Sequence, residues 1–264
     1  MPSHFSTIGL PIESEQEMLE LAKKASEEAR EIPCSYGYYL KWSSAEGAEL
    51  WLHIDNDNNL VGLTPSFSGE STIKIAITHA ISRPDDSDFE GMIHGWANPK
   101  PDEVNSGDYP FVFDLVDKAA YDNLQLPLIA NISISAFAHE LTAYDSEEDY
   151  NASQQEQEAK FASRSFIPTG LFNDDDNALP QPYAMFTGKV LKTKLCTNPL
   201  TGKHYQWALV ETLGGIFDVV ADPEISEKPI QIGGIVSGSF WLNGKIHIPY
   251  SKPKTSFFAK LFSK

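Results

Sequence analysis

Apolar and polar residues alternate with a period of two through most of this chain, which confines the fold to sheets with at least one face covered. Tyr36, Tyr38, Leu40 and Trp42 alternate in one segment, Leu50, Leu52 and Ile54 in the next, and Ile73, Ile75, Ile77 and Ile81 in a longer one. The turn Asn56-Asp57-Asn58-Asn59 leads into 60–67, and 92–97, 109–115 and 128–144 read as further strands. One helix stands out. Ser14 and Glu17 have capping-box spacing, and Met18, Leu21, Ala22, Ala25 and Ala29 follow at helical intervals with Glu, Lys and Arg on the other face. A strand over 4–12 is expected before the helix and Pro33 at its end, so the first 70 residues read βαβββ.

The last 80 residues read as five strands, 184–196, 203–212, 215–221, 234–242 and 245–249. Asn198-Pro199-Leu200-Thr201-Gly202, Gly214-Gly215, Gly233-Gly234 and Asn243-Gly244 provide turn residues between them, and short strands joined this way close into a small barrel. The expected class is α+β, mostly β: an acidic sheet domain over 1–145, an acidic linker with a helix over 146–182, a five-stranded barrel over 183–250, and a basic amphipathic tail over 251–264. The tail places Phe257, Phe258, Leu261 and Phe262 on one helical face.

Charge divides the chain at the same place. Residues 1–182 carry 10 Lys/Arg against 32 Asp/Glu, whereas 183–264 carry 10 against 5, within a total of −17. The change of sign implies two units with different surfaces, and the first repels duplex nucleic acid. Two distant cysteines, Cys34 and Cys196, suit reduced thiols rather than a disulfide framework or zinc knuckle. There is no run of roughly 20 apolar residues and no leader-like start, so the expectation is cytoplasmic residence without a transmembrane segment. Phosphate-binding glycine loops, a Gly-x-Ser-x-Gly elbow, paired catalytic cysteines and kinase signatures are missing from the sequence.

His4-Phe5-Ser6-Thr7-Ile8-Gly9, the helix after it and Gly47-Ala48-Glu49-Leu50-Trp51-Leu52 resemble one module of the vicinal-oxygen-chelate superfamily, which includes the glyoxalases. That resemblance implies a divalent metal held by His4 with Glu49 and His53, which share a strand face. Residues 72–144 lack the helix of a second module, and the alternative is that Glu49 and His53 line a solvated strand face. His79, in the isoleucine series, His94, and His139 beside Glu140 are pocket candidates; a core histidine satisfied by a carbonyl is the competing account.

The C-terminal strands resemble an oligonucleotide/oligosaccharide-binding (OB) barrel in number and in the long first strand from Phe186. Tyr205 and Trp207 share a face near Lys189, Lys192, Lys194 and Lys203, the aromatic and basic mixture used on single-stranded nucleic acid. The alternative is that both aromatics fill the barrel. Residues 210–222 and 238–244 resemble a pattern that recurs in uncharacterised bacterial proteins and brings no known activity. The reading is therefore a binding protein for a small ligand or a protein partner, with no catalytic step and no cofactor. A metal-dependent enzyme of the vicinal-oxygen-chelate type and a single-strand nucleic-acid binder are the alternatives.

Overall fold

Two sheets form the framework of the fold, and the longest strands all lie in the larger of them. The structure, a computed structural model, describes residues 3–121, 124–172 and 178–250. The smaller sheet is an antiparallel meander of β1 (Arg30–Cys34), β2 (Gly37–Ser43), β3 (Ala48–Asp55) and β4 (Leu60–Phe67). Helix α1 (Glu15–Ser26) begins where Ser14 Oγ accepts the Glu17 amide at 3.2 Å and buries Leu21, Ala22 and Ala25 with Leu50, Leu52 and Ile54. The helix stops well before Pro33, which lies within β1.

Residues 4–12 do not form the expected strand. Ser6–Ile8 is a 3-10 turn, ended by Gly9 at φ 73°, and the small sheet has no strand preceding the helix. The apolar alternation there comes from docking: Ile8 and Leu10 are buried, Asn198 Nδ2 donates to the Ile8 carbonyl at 2.9 Å, and Thr201 Oγ1 donates to that of Gly9. A Cβ on residue 9 would come within 2.9 Å of the Lys203 carbonyl, so glycine is required for both its torsion and the close approach.

The larger, nine-stranded sheet contains β5 (Ile73–Ile81), β6 (Met92–Ala97), β7 (Pro110–Leu115), β8 (Leu128–Tyr144), β9 (Ser165–Ile167), β10 (Tyr183–Thr197), β11 (His204–Thr212), β12 (Gly215–Ala221) and β13 (Ile235–Ile246). β8 and β13 run antiparallel from Ile132↔Ile246 to Tyr144↔Ile235 and form a common seam. On one side the circuit closes through β5, β6 and β7, and on the other through β12, β11 and β10. One continuous core fills both circuits, with Ile77, Phe111 and Phe113 at one end and Phe186, Phe217 and Phe240 at the other.

Two expectations change here. Asn243-Gly244 is not a hairpin: β13 continues through it, paired with Ser135 and Ile134, and the fifth strand of the C-terminal circuit is β8. Asn243 is buried and accepts from Ser66 Oγ at 2.7 Å, while Gly244 leaves room for Phe113, which a Cβ would meet at 2.5 Å. The segment 146–182 contains α2 (Glu147–Ser153), with Tyr150 buried, and the short β9 on the edge of β10. The tail 251–264 lies outside the described residues.

The small sheet is fastened to the C-terminal strands by buried polar contacts. Asp218 accepts the backbone amides of Glu70 at 3.0 Å and Ser71 at 2.8 Å and the Trp207 indole N–H at 2.9 Å. These donors satisfy a carboxylate that is wholly removed from water.

Candidate functional site

A cavity of about 190 Å³ opens between the two sheets. Its floor comes from β3 and β4, its far wall from β7 and Trp241 of β13, its side from the 83–91 connection, and its roof from His4 and Phe5. Arg83 is held by two carboxylates: Nε donates to Asp86 Oδ1 at 2.7 Å and a terminal nitrogen donates to Asp114 Oδ1 at 3.0 Å. Asp114 also accepts the Trp241 indole N–H at 2.6 Å. Burial raises the Asp114 pKa and outweighs the opposing pull of Arg83 and Trp241. Glu90 accepts from the amide and hydroxyl of Ser87 through Oε2, and its Oε1 has no hydrogen-bond partner among the described residues.

Two histidines lining this cavity are kept neutral. His53 on β3 is 1% exposed, and desolvation lowers its pKa to about 4 despite the nearby charge of Glu90. Its ring is stacked on Phe89, shares a 3.2 Å hydrogen bond between Nε2 and Thr64 Oγ1, and has a buried Nδ1 with no partner among the described residues. The ring lies over Gly62 on β4, where a Cβ would approach Nδ1 to 2.5 Å. His4 stacks on Trp241 with centroids 4.1 Å apart, and its Nε2 is 2.8 Å from Nε2 of His139. One ring must donate and the other accept, so the bond does not survive with both as imidazolium. Burial, then the His139 charge, lowers the His4 pKa to about 4, and burial also lowers that of His139.

Glu49 is on the same face of β3 as His53 but faces other groups. It takes Lys41 Nζ at 2.6 Å, Lys245 Nζ at 3.0 Å and the Trp51 indole N–H at 3.0 Å. Burial pushes its pKa up, and Lys245 and Lys41 more than offset that, leaving it below the ordinary carboxylate range. Thus His4 and His53 reach the cavity while Glu49 does not line it, and among the described residues no three of His, Cys, Asp and Glu converge as a metal-binding group. Glu49 and His53 lie in packed interior rather than on a solvated face.

A second buried carboxylate adjoins this one. Asp117 receives the hydroxyls of Tyr250 at 3.0 Å and Tyr121 at 3.3 Å on Oδ2, its Oδ1 has no partner among the described residues, and burial raises its pKa to about 6. A group raised in this way adds stability below its unfolded pKa and loses it as pH rises through the folded value. Asp117→Asn is therefore expected to stabilise the fold by about 1–3 kcal/mol at pH 8 and to leave it nearly unchanged at pH 4. Urea unfolding at the two pH values measures this, and equal effects at both would contradict it.

The remaining sequence candidates fall elsewhere. His79 and His94 stack at 4.7 Å on β5 and β6, both within reach of Thr78 Oγ1, and neither lines the cavity. Burial, then His79, lowers the His94 pKa. Tyr205 is fully buried with its hydroxyl on the Glu46 carbonyl, and Trp207 is half-buried against Phe67. Lys192 pairs with Glu70 and Lys194 with Glu46, so loops of the small sheet cover this face, while Lys189 is half-buried and Lys203 exposed. Arg83, Glu90, Asp114 and Trp241 were not singled out by sequence. The one available signal was Arg83 itself, one of only three arginines, placed just before Pro84-Asp85-Asp86.

No family model, curated protein or solved structure matches this chain.

Proposed function

We propose that the protein is a small-molecule binding protein whose ligand occupies the cavity between the two sheets. The observation supporting this is the convergence of an ion-paired arginine, a carboxylate with a free oxygen and two neutral histidines on one pocket. Apolar walls with a few placed polar groups are the usual composition of a ligand site. The residues supply hydrogen bonds and charge for recognition.

Thr64 lines the floor and is half-buried, so Thr64→Phe fills the cavity at the cost of the hydrogen bond to His53. A mixed set of small cations, anions and neutral aromatics is expected to shift the Trp241 indole N–H resonance in the wild type and not in Thr64→Phe. Probes that bind both proteins equally would place the ligand elsewhere.

A further inference from the structure

We infer that the ligand of this cavity is a small organic cation with a short apolar body. The assignment rests on the cavity being the ligand site, and it follows from counting the charges around it. Arg83 supplies one positive charge, already met by Asp86 and Asp114 at 2.7 and 3.0 Å. Glu90 adds a third carboxylate, bonded among the described residues only to the neutral amide and hydroxyl of Ser87. Of the charged residues lining the cavity, the carboxylates of Glu90 and Asp114 thus outnumber the guanidinium of Arg83, which Asp86 already balances from outside the lining.

The histidines do not correct this imbalance. His53 lies among Phe89, Tyr39 and Thr64, and His4 lies between Trp241 and His139, surroundings that favour neutral rings. An entering anion meets two carboxylates of the lining, Glu90 and Asp114, against one guanidinium that is already paired. An entering ammonium or amidinium meets the free oxygen of Glu90 and the accepting lone pairs of Asp114, and a hydrogen bond between charged groups is the strong kind. Phe5, Leu63, Pro65, Leu115 and Val116 form the apolar part of the lining, which fits a hydrocarbon or aromatic body behind the charged head. At about 190 Å³ the space excludes a long chain.

Three probes of similar size separate the possibilities: benzylamine, benzyl alcohol and benzoate, titrated into the full-length protein at pH 7 with the Trp241 indole N–H followed by NMR. Benzylamine is expected to bind about tenfold or more tightly than benzoate, with benzyl alcohol between them. Glu90→Gln, at a half-buried position outside the core, is expected to narrow that gap several-fold while far-ultraviolet circular dichroism is unchanged. Benzoate binding as tightly as benzylamine, with the Trp241 resonance moving, would overturn the cation assignment and leave the cavity as a ligand site. If none of the three moves that resonance, both readings fail. A preference for benzylamine that survives Glu90→Gln undiminished also overturns the assignment, because the charge that carries it is then not in this pocket.

Discussion

Replacing Glu49 by Gln is expected to cost about 3–5 kcal/mol of unfolding free energy, the usual penalty for removing one partner of a buried ion pair. The carboxylate is 2% exposed and bridges Lys41 of β2 to Lys245 of β13, whose side chains are 16% and 14% exposed. A neutral amide leaves both ammonium groups mostly out of water with no counter-charge, and desolvation already lowers the Lys41 pKa. The same contact ties the small sheet to the seam strand of the large one, so its loss removes an inter-sheet fastening as well as a charge balance. Urea denaturation at pH 7 measures the effect. A companion variant with Glu49, Lys41 and Lys245 all changed to Met is expected to recover most of the loss, since a packed apolar group has no desolvation penalty to offset. A loss under about 1 kcal/mol in Glu49→Gln would mean that the lysines reach solvent easily and that the network contributes little.

This network also explains what the sequence could and could not disclose. The division of charge at residue 182 was visible, and it pointed to two surfaces of opposite sign. In the structure those surfaces meet: Lys192–Glu70, Lys194–Glu46, Lys228–Asp145 and Lys245–Glu49 all join the acidic first part to the basic second. Two of the lysines expected to face a polyanion, Lys192 and Lys194, instead pair with carboxylates of the same chain. Strand periodicity located most strands, because alternation is a local property that survives without knowledge of partners. Pairing is not local. Nothing in 128–144 announces that it will lie beside both β13 and β12, and Asn243-Gly244 has the composition of a turn while serving as a close-packed point in a strand. The alternation in 4–12 reflects burial of Ile8 and Leu10 under a turn, a pattern that strands share.

The site was legible only in part for the same reason. His4 and His53 were singled out as metal ligands and do line the cavity, but Glu49 is directed to lysines. Arg83, Glu90, Asp114 and Trp241 come from three separate stretches of chain. Single histidines are conspicuous in a sequence; a carboxylate in an acidic chain is not, and 37 Asp and Glu residues hide the two that hold Arg83 and the one beside them in the cavity wall.

Acidification provides the second large effect, because His53 and Asp117 act on stability in opposite directions. His53 takes up a proton at pH 6.5 when unfolded but only at about 4 when folded. Its stabilising contribution is complete above pH 6.5 and declines as pH falls towards 4, by about 3.4 kcal/mol at roughly 1.4 kcal/mol per pH unit. His4 changes in the same direction, since burial and then His139 depress its pKa as well. Asp117, raised from 3.8 to about 6, gains stability over much of the same interval, by about 3 kcal/mol, and so masks part of the histidine loss. Unfolding free energy measured between pH 7 and 4 is accordingly expected to fall moderately in the wild type and more steeply in Asp117→Asn, where the opposing group is gone. In His53→Gln the decline is expected to shrink by about 3 kcal/mol relative to its parent, whatever that variant's stability at pH 7. The imidazole of His53, followed by NMR in the folded protein, should stay neutral until the pH approaches 4. If instead it titrates near 6.5, the ring is hydrated in solution, and neither its contribution to acid sensitivity nor its role as a neutral wall of the cavity stands.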